Sequence, residues 1–113
     1  MNNTIQTLID NSQRINSKTI SVTRCLILSL LSYFADGLQF RELKNALGIS
    51  DGKLASNLNR LIAMGYLEKS TVKLERKSLN VYNLTEKGKK EIEKIVDWMK
   101  KIQRIVGETT CQI

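Results

Sequence analysis

Between Phe40 and Arg60 two short leucine-spaced segments, FRELKNAL and DGKLASNLNR, are separated only by Gly48-Ile49-Ser50. Phe40, Leu43 and Leu47 recur at spacings of three and four, as do Leu54, Leu58 and Leu61, so each segment reads as a helix with one apolar face. So short a connection makes the two helices turn sharply on each other and share a core. Gly48 can take the left-handed conformation that ends a helix, and Ser50 can cap the next. Such a pair is a helix-turn-helix, a unit whose second helix can enter the major groove of DNA.

The rest of the chain supplies a scaffold. Ile5, Leu8, Ile9 and Ile15 predict a helix over 4–15, interrupted on its apolar face by Ser12 and broken after it at Asn16-Ser17-Lys18. Ile20 to Phe34 is apolar nearly all round and predicts a central helix, stopped by Asp36-Gly37. Leu38-Gln39 can form a short strand. The second helix of the motif is expected to run to about Met64, with Gly65 ending it. Tyr66 to Leu74 and Leu79 to Leu84 read as two strands around Glu75-Arg76-Lys77-Ser78, with no Asn-Gly or Asp-Gly to fix the turn type. Thr85 can cap a long last helix from Glu86 to about Val106, whose Ile92, Ile95, Val96, Met99, Ile102 and Val106 form a broad apolar stripe.

That order of elements is the order of a winged helix-turn-helix. The expected fold class is mainly α with a small β-hairpin (α+β), one domain over residues 1–113, with extra N- and C-terminal helices. Residues 24–28 (RCLIL), 40–43 (FREL), 48–58 (GISDGKLASNL), 65–67 (GYL) and 82–88 (YNLTEKG) resemble the winged-helix transcriptional regulators of bacteria and archaea, in particular the small MarR/ArsR-like group. The resemblance spans roughly 21–102. It implies a dimeric DNA-binding transcription regulator, with the second helix of the motif in the major groove and the wing near phosphates or the minor groove. The chain departs from the family at Ala55, where a small hydroxyl residue often stands, and that removes one phosphate contact. Metal-sensing members use clustered cysteines and histidines; here there is no histidine, and the two cysteines, Cys25 and Cys111, lie far apart, so neither metal nor cofactor is expected.

Charge points to the same partner. The net charge is +7, and between Lys53 and Lys77 six basic residues face two acidic ones, so the excess sits on the second helix and the hairpin. At about 100° per residue, Gly52, Lys53, Ser56, Asn59 and Arg60 fall opposite the leucines, with Asn57 at the edge. Arg60 and Lys53 suit guanine edges or phosphates, Asn57 or Asn59 can pair with adenine, and Gly52 permits close approach. Position favours Lys53, Ser56 and Asn57 as base readers over Arg60. Lys69, Lys73, Arg76 and Lys77 of the hairpin are candidate phosphate contacts, with Lys44 and Ser50 beside them; each neutralised phosphate adds about 0.9 to the salt-dependence slope. The competing explanation is a solvated helix face and a charge-protected edge strand.

The helices over 1–17 and 86–106 carry more apolar surface than a small domain is expected to cover. A homodimer packed through Ile5, Leu8, Ile9, Ile95, Trp98, Met99, Ile102 and Val106 follows, with two reading helices about 34 Å apart on a pseudo-palindromic site. A single monomeric core is the alternative. Lys87, Lys89 and Lys90 read as a solvated face. Cys25 reads as core; Cys111 is a candidate for redox chemistry or a cross-dimer link. The chain lacks a usual general base, a phosphate-binding glycine loop and a nucleophile motif, so an enzyme is not expected. The start has no secretory pattern, and the longest apolar run is too short for a bilayer, so a cytoplasmic chain without membrane contact is expected. No residue pattern identifies a small-molecule effector. A protein-interaction module and a sequence-indifferent chromosomal protein stand as rival functions.

Overall fold

Local chemistry places most element boundaries. The structure, a computed structural model, describes residues 3–111, with side chains through Glu108. In order come α1 (Asn3–Ser12), a 3-10 turn (Ser17–Thr19), α2 (Val22–Tyr33), β1 (Leu38–Gln39), α3 (Phe40–Leu47), α4 (Asp51–Ala63), β2 (Leu67–Leu74), β3 (Lys77–Leu84) and α5 (Glu86–Cys111). Ser21 Oγ accepts from the Arg24 N–H at 3.1 Å to open α2, and Ser50 Oγ from the Lys53 N–H at 3.2 Å to open α4. The Glu42 carboxylate accepts from the Gln39 N–H at 2.9 Å at the head of α3. Thr85 Oγ1 accepts from the Gly88 N–H at 3.0 Å at the start of α5 and donates to Gly65 O at 2.6 Å. Each cap supplies an acceptor for an N–H that has none within its own helix. Gly48 ends α3 with φ +65°, the left-handed turn its position suggested.

The core gathers Ile27, Leu28 and Leu31 of α2, Leu43 of α3, Leu54, Leu58 and Leu61 of α4, Tyr66 just before β2, Leu67 and Tyr82 of the sheet, and Ile92 and Ile95 of α5. The sheet has the order β1-β3-β2, all antiparallel; Leu38 pairs with Tyr82, so the short strand ties the α2–α3 connection to the base of the hairpin. α5 crosses the start of β2 so closely that a Cβ on Gly88 would lie 2.2 Å from Tyr66 O.

Several expectations shift. α1 stops at Ser12, whose hydroxyl bonds back to Ile9 O at 2.6 Å, and Ile15 reaches the core from a turn instead of a helix. The wing turn contracts to Glu75-Arg76: Leu74 pairs with Lys77 and Lys73 with Ser78, and Glu75 takes φ +56°. α5 extends to Cys111 instead of ending near Val106. α2 is buried on one side only. Val22 and Tyr33 are 79% and 81% exposed, so the all-round apolar helix is not wholly a core helix.

α1 lies along α5, where the Trp98 indole N–H donates to Leu8 O at 3.2 Å. The radius of gyration is 17.1 Å, against about 13 Å for a compact chain of this length, and the long axis is 61 Å.

Candidate nucleic-acid interface

α4 turns its leucines inward and leaves Gly52, Lys53, Ser56, Asn59 and Arg60 exposed on the opposite side. A Cβ on Gly52 would meet nothing within 4 Å, so this part of the face is open. Asn57 differs from the expectation of a free base reader. Its Oδ1 accepts from Arg24 Nε at 2.9 Å and its Nδ2 donates to Lys53 O at 2.8 Å, so its carboxamide is engaged within the fold. Ser50 remains exposed while its oxygen caps α4. Lys44 pairs with Asp51 at 2.7 Å. That exposed pair contributes only about 0–1 kcal/mol, so the ammonium can exchange onto a phosphate.

The hairpin register sorts the wing into two chemical faces. Lys69, Thr71 and Lys73 stand opposite Tyr82, Asn80 and Ser78, giving one polar, basic face. Lys69 Nζ lies 6.0 Å from the Tyr82 ring centroid, and Thr71 Oγ1 donates to Asn80 Oδ1 at 3.1 Å. The other face carries Ser70, Val72 and Leu74 against Val81, Leu79 and Lys77. The wing lysines are therefore not one cluster: Lys69 and Lys73 share a side, Lys77 takes the other, and Arg76 sits in the turn beside the acidic Glu75.

Two cations differ from a sequence reading. Lys87, expected on a solvated face, donates to Met64 O at 2.8 Å and stands 5.0 Å over the Tyr66 ring, capping the end of α4. Arg24 received no role from the sequence; its partner Asn57 lies too far along the chain for any local pattern to signal the contact. Cys25 is half-buried rather than fully in the core, with its thiol donating to Thr19 O at 3.6 Å; burial pushes the thiol up, opposed by its hydrogen bond with the Ser21 backbone. The Cys111 side chain lies outside those described.

Of the residues expected at a dimer contact, Ile95 is fully buried in the core of its own chain and leaves the set. Leu8 and Trp98 are half-buried and joined to each other, and Ile102 is half-buried. Ile5, Ile9, Met99 and Val106 are exposed, and so are Leu26, Phe34 and Val96, which sequence reasoning did not single out for a contact. Val22, Leu26 and Met99 line a shallow apolar groove between α2 and α5.

Among the described residues no group of three His, Cys, Asp or Glu side chains could hold a metal ion, and no helix is long and apolar enough to cross a membrane. Comparison with known proteins agrees with the geometry. No curated protein is a sequence match. RV1404 from Mycobacterium tuberculosis superposes with a TM-score of 0.68 at 19% identity over 81% of this chain, which spans only 62% of that protein's length. The transcriptional regulator Tm0710 from Thermotoga maritima gives 0.67 at 23% identity, covering 92% of this chain and 72% of that one. A point mutant of MepR from Staphylococcus aureus, solved bound to an oligodeoxyribonucleotide, gives 0.69 at 16% identity, covering 93% and 74%. These likenesses show the fold, and it is the winged helix expected of a MarR-like chain. The profile of winged helix DNA-binding domains matches residues 23–103, from the first turn of α2 into the second half of α5. The chain belongs to the family of winged helix DNA-binding domains.

Proposed function

We propose that the protein is a sequence-specific transcription regulator that binds duplex DNA as a homodimer and represses by occupying its operator. The observation that carries this reading is the exposed polar face of α4, with Lys53, Ser56, Asn59 and Arg60, beside the basic hairpin of a family built to bind DNA. In the proposed complex α4 lies in the major groove, and Lys53 and Ser56 near its N-terminus reach base edges. Arg60, Asn59, Lys44 and Ser50 serve the flanking phosphates. Lys69 and Lys73 on one wing face, and Arg76 and Lys77 at its tip, follow the backbone or the minor groove. MepR, similar in fold, was solved on DNA, and the same use is proposed here.

The apolar residues left uncovered on α1, α2 and α5, with the apolar groove that Val22, Leu26 and Met99 line, support pairing of two copies, which would cover them. A two-fold pair would put two α4 helices about 34 Å apart, one turn of DNA. The test is selection of bound duplexes from a random library at about 0.15 M salt, where non-specific binding is weakened. The expected result is an enriched two-fold motif with half-sites about 10 base pairs apart. Recovery of DNA without a motif would replace a specific regulator by a sequence-indifferent chromosomal protein, and recovery of nothing would leave a protein-interaction module.

A further inference from the structure

We propose that Arg24 is a positioning residue for DNA recognition: held from α5 through the turn at Asn16–Thr19, it fixes the pose of α4 through Asn57. The inference rests on the proposed role of α4 as the reading helix.

The path begins at Glu91 of α5, which is only 4% exposed. A carboxylate at that depth needs partners. It accepts from the Asn16 backbone N–H at 3.0 Å; the Thr19 hydroxyl, which donates to Asn16 O at 2.6 Å, lies 3.3 Å from the same oxygen, and Lys94 Nζ is 4.0 Å from the other. The same turn is tied a second way, since Asn16 Nδ2 donates to the Tyr66 hydroxyl at 3.1 Å, and Asn16 Oδ1 accepts from the Lys18 N–H at 3.0 Å. The turn is thereby bonded to α5 and to the start of the wing, and it presents Lys18 O outward. That carbonyl accepts from Arg24 Nη1. Arg24 Nε donates to Asn57 Oδ1, and Asn57 Nδ2 donates to the carbonyl of Lys53, a residue of the exposed α4 face.

This geometry does what leucine packing cannot. Leu54, Leu58 and Leu61 hold α4 to the core by contacts without direction, which resist withdrawal more than rotation about the helix axis. The bonds at Asn57 are directional and lie at the edge of the reading face. The planar guanidinium serves both partners at once through two of its nitrogens, which a lysine ammonium on a different stem would not reproduce. Base recognition requires side chains held within a fraction of an ångström, so the rotation of α4 bears on selectivity more than on general affinity.

The experiment measures affinity for a selected duplex and for an unrelated one at the same salt, with thermal melting as a check on folding. Arg24→Ala and Asn57→Ala are each expected to weaken the selected duplex about tenfold and the unrelated one less than about twofold, and the double variant to be no weaker than either single one. Glu91→Ala should lose selectivity in the same way, while Glu91→Gln, which keeps an acceptor oxygen, should recover most of it. Asn57→Asp keeps the acceptor that Arg24 grips, and its added charge weakens both duplexes alike, so its preference for the selected duplex should stay within about threefold of the unaltered protein's; this variant decides the matter where Arg24→Ala fails to fold. Equal losses on both duplexes with a shallower salt dependence would make Arg24 a phosphate contact and overturn the inference. Additive losses, or a smaller preference for the selected duplex in Asn57→Asp than in Asn57→Ala, would make Asn57 an independent base reader and overturn it as well. Failure of the underlying reading looks different: the unaltered protein would select no duplex, or Lys53→Ala would bind as it does.

Discussion

Gly88 has no room for a side chain. An added Cβ would sit 2.2 Å from the Tyr66 carbonyl oxygen and 2.7 Å from a Leu84 methyl, so α5 and the start of β2 would have to separate. Helix propensity favours alanine over glycine by about 1 kcal/mol, but a backbone clash of this size outweighs it. Gly88→Ala is therefore expected to destabilise by about 2 kcal/mol or more, lowering the melting temperature by about 10 °C. Gly107 lies in the same helix, and a Cβ added there would meet nothing within 4 Å, so Gly107→Ala should stabilise by about 0.5–1 kcal/mol. A thermal melt of the two variants checks both signs. At this scale the sequence was legible wherever the chemistry is local: Gly48, Ser50 and Thr85 act as the caps their positions suggest. It was silent on Arg24 with Asn57 and on Glu91 with Asn16, because those partners meet only after the chain has folded back on itself.

Among the elements, the wing shows how local strain and function share a turn. Glu75 holds φ +56° without the freedom of glycine, and it places a negative charge between Leu74 and Arg76 at the tip. Glu75→Gly should relieve about 1 kcal/mol of backbone strain and slow hydrogen exchange of the hairpin amides. Glu75→Gln retains the strain and removes the charge. Both variants should bind DNA more tightly than the unaltered protein, but only the glycine variant should gain hairpin protection; equal exchange in the two would show that the turn stores no strain. The absence of an Asn-Gly signal hid this tight turn, and a longer loop was the natural expectation. The long helices were legible in existence but not in facing. A broad stripe on α5 does not say that Ile95 faces its own core while Met99 faces outward, since α1 and α2 decide that by where they lie.

For the molecule as a whole, the order of elements was legible because each is set off by its own breaker or cap, and a family profile spanning 23–103 agrees with it. Assembly was not legible to the same degree, since one chain's apolar stripe can face its own core or a second copy. Met99 is exposed and separable from the core, which makes it a clean probe. Met99→Glu is expected to keep the fold by circular dichroism, sediment as a monomer, and weaken DNA binding more than about tenfold through loss of the second half-site. Unchanged sedimentation with full DNA affinity would show that the pairing surface lies elsewhere.

The 26 residues of α5 make a rod about 39 Å long, clamped at one end by Gly88, Ile92 and Ile95 against the body that carries α4. Such a rod is a lever. A tilt of about 8° at the clamp sweeps the far tip, about 24 Å beyond Ile95, through about 3.4 Å, the rise of one base pair. In the proposed pair, half-site spacing is therefore an angular tolerance of the clamp, and a glycine without room for a methyl group is part of what sets the ruler's scale.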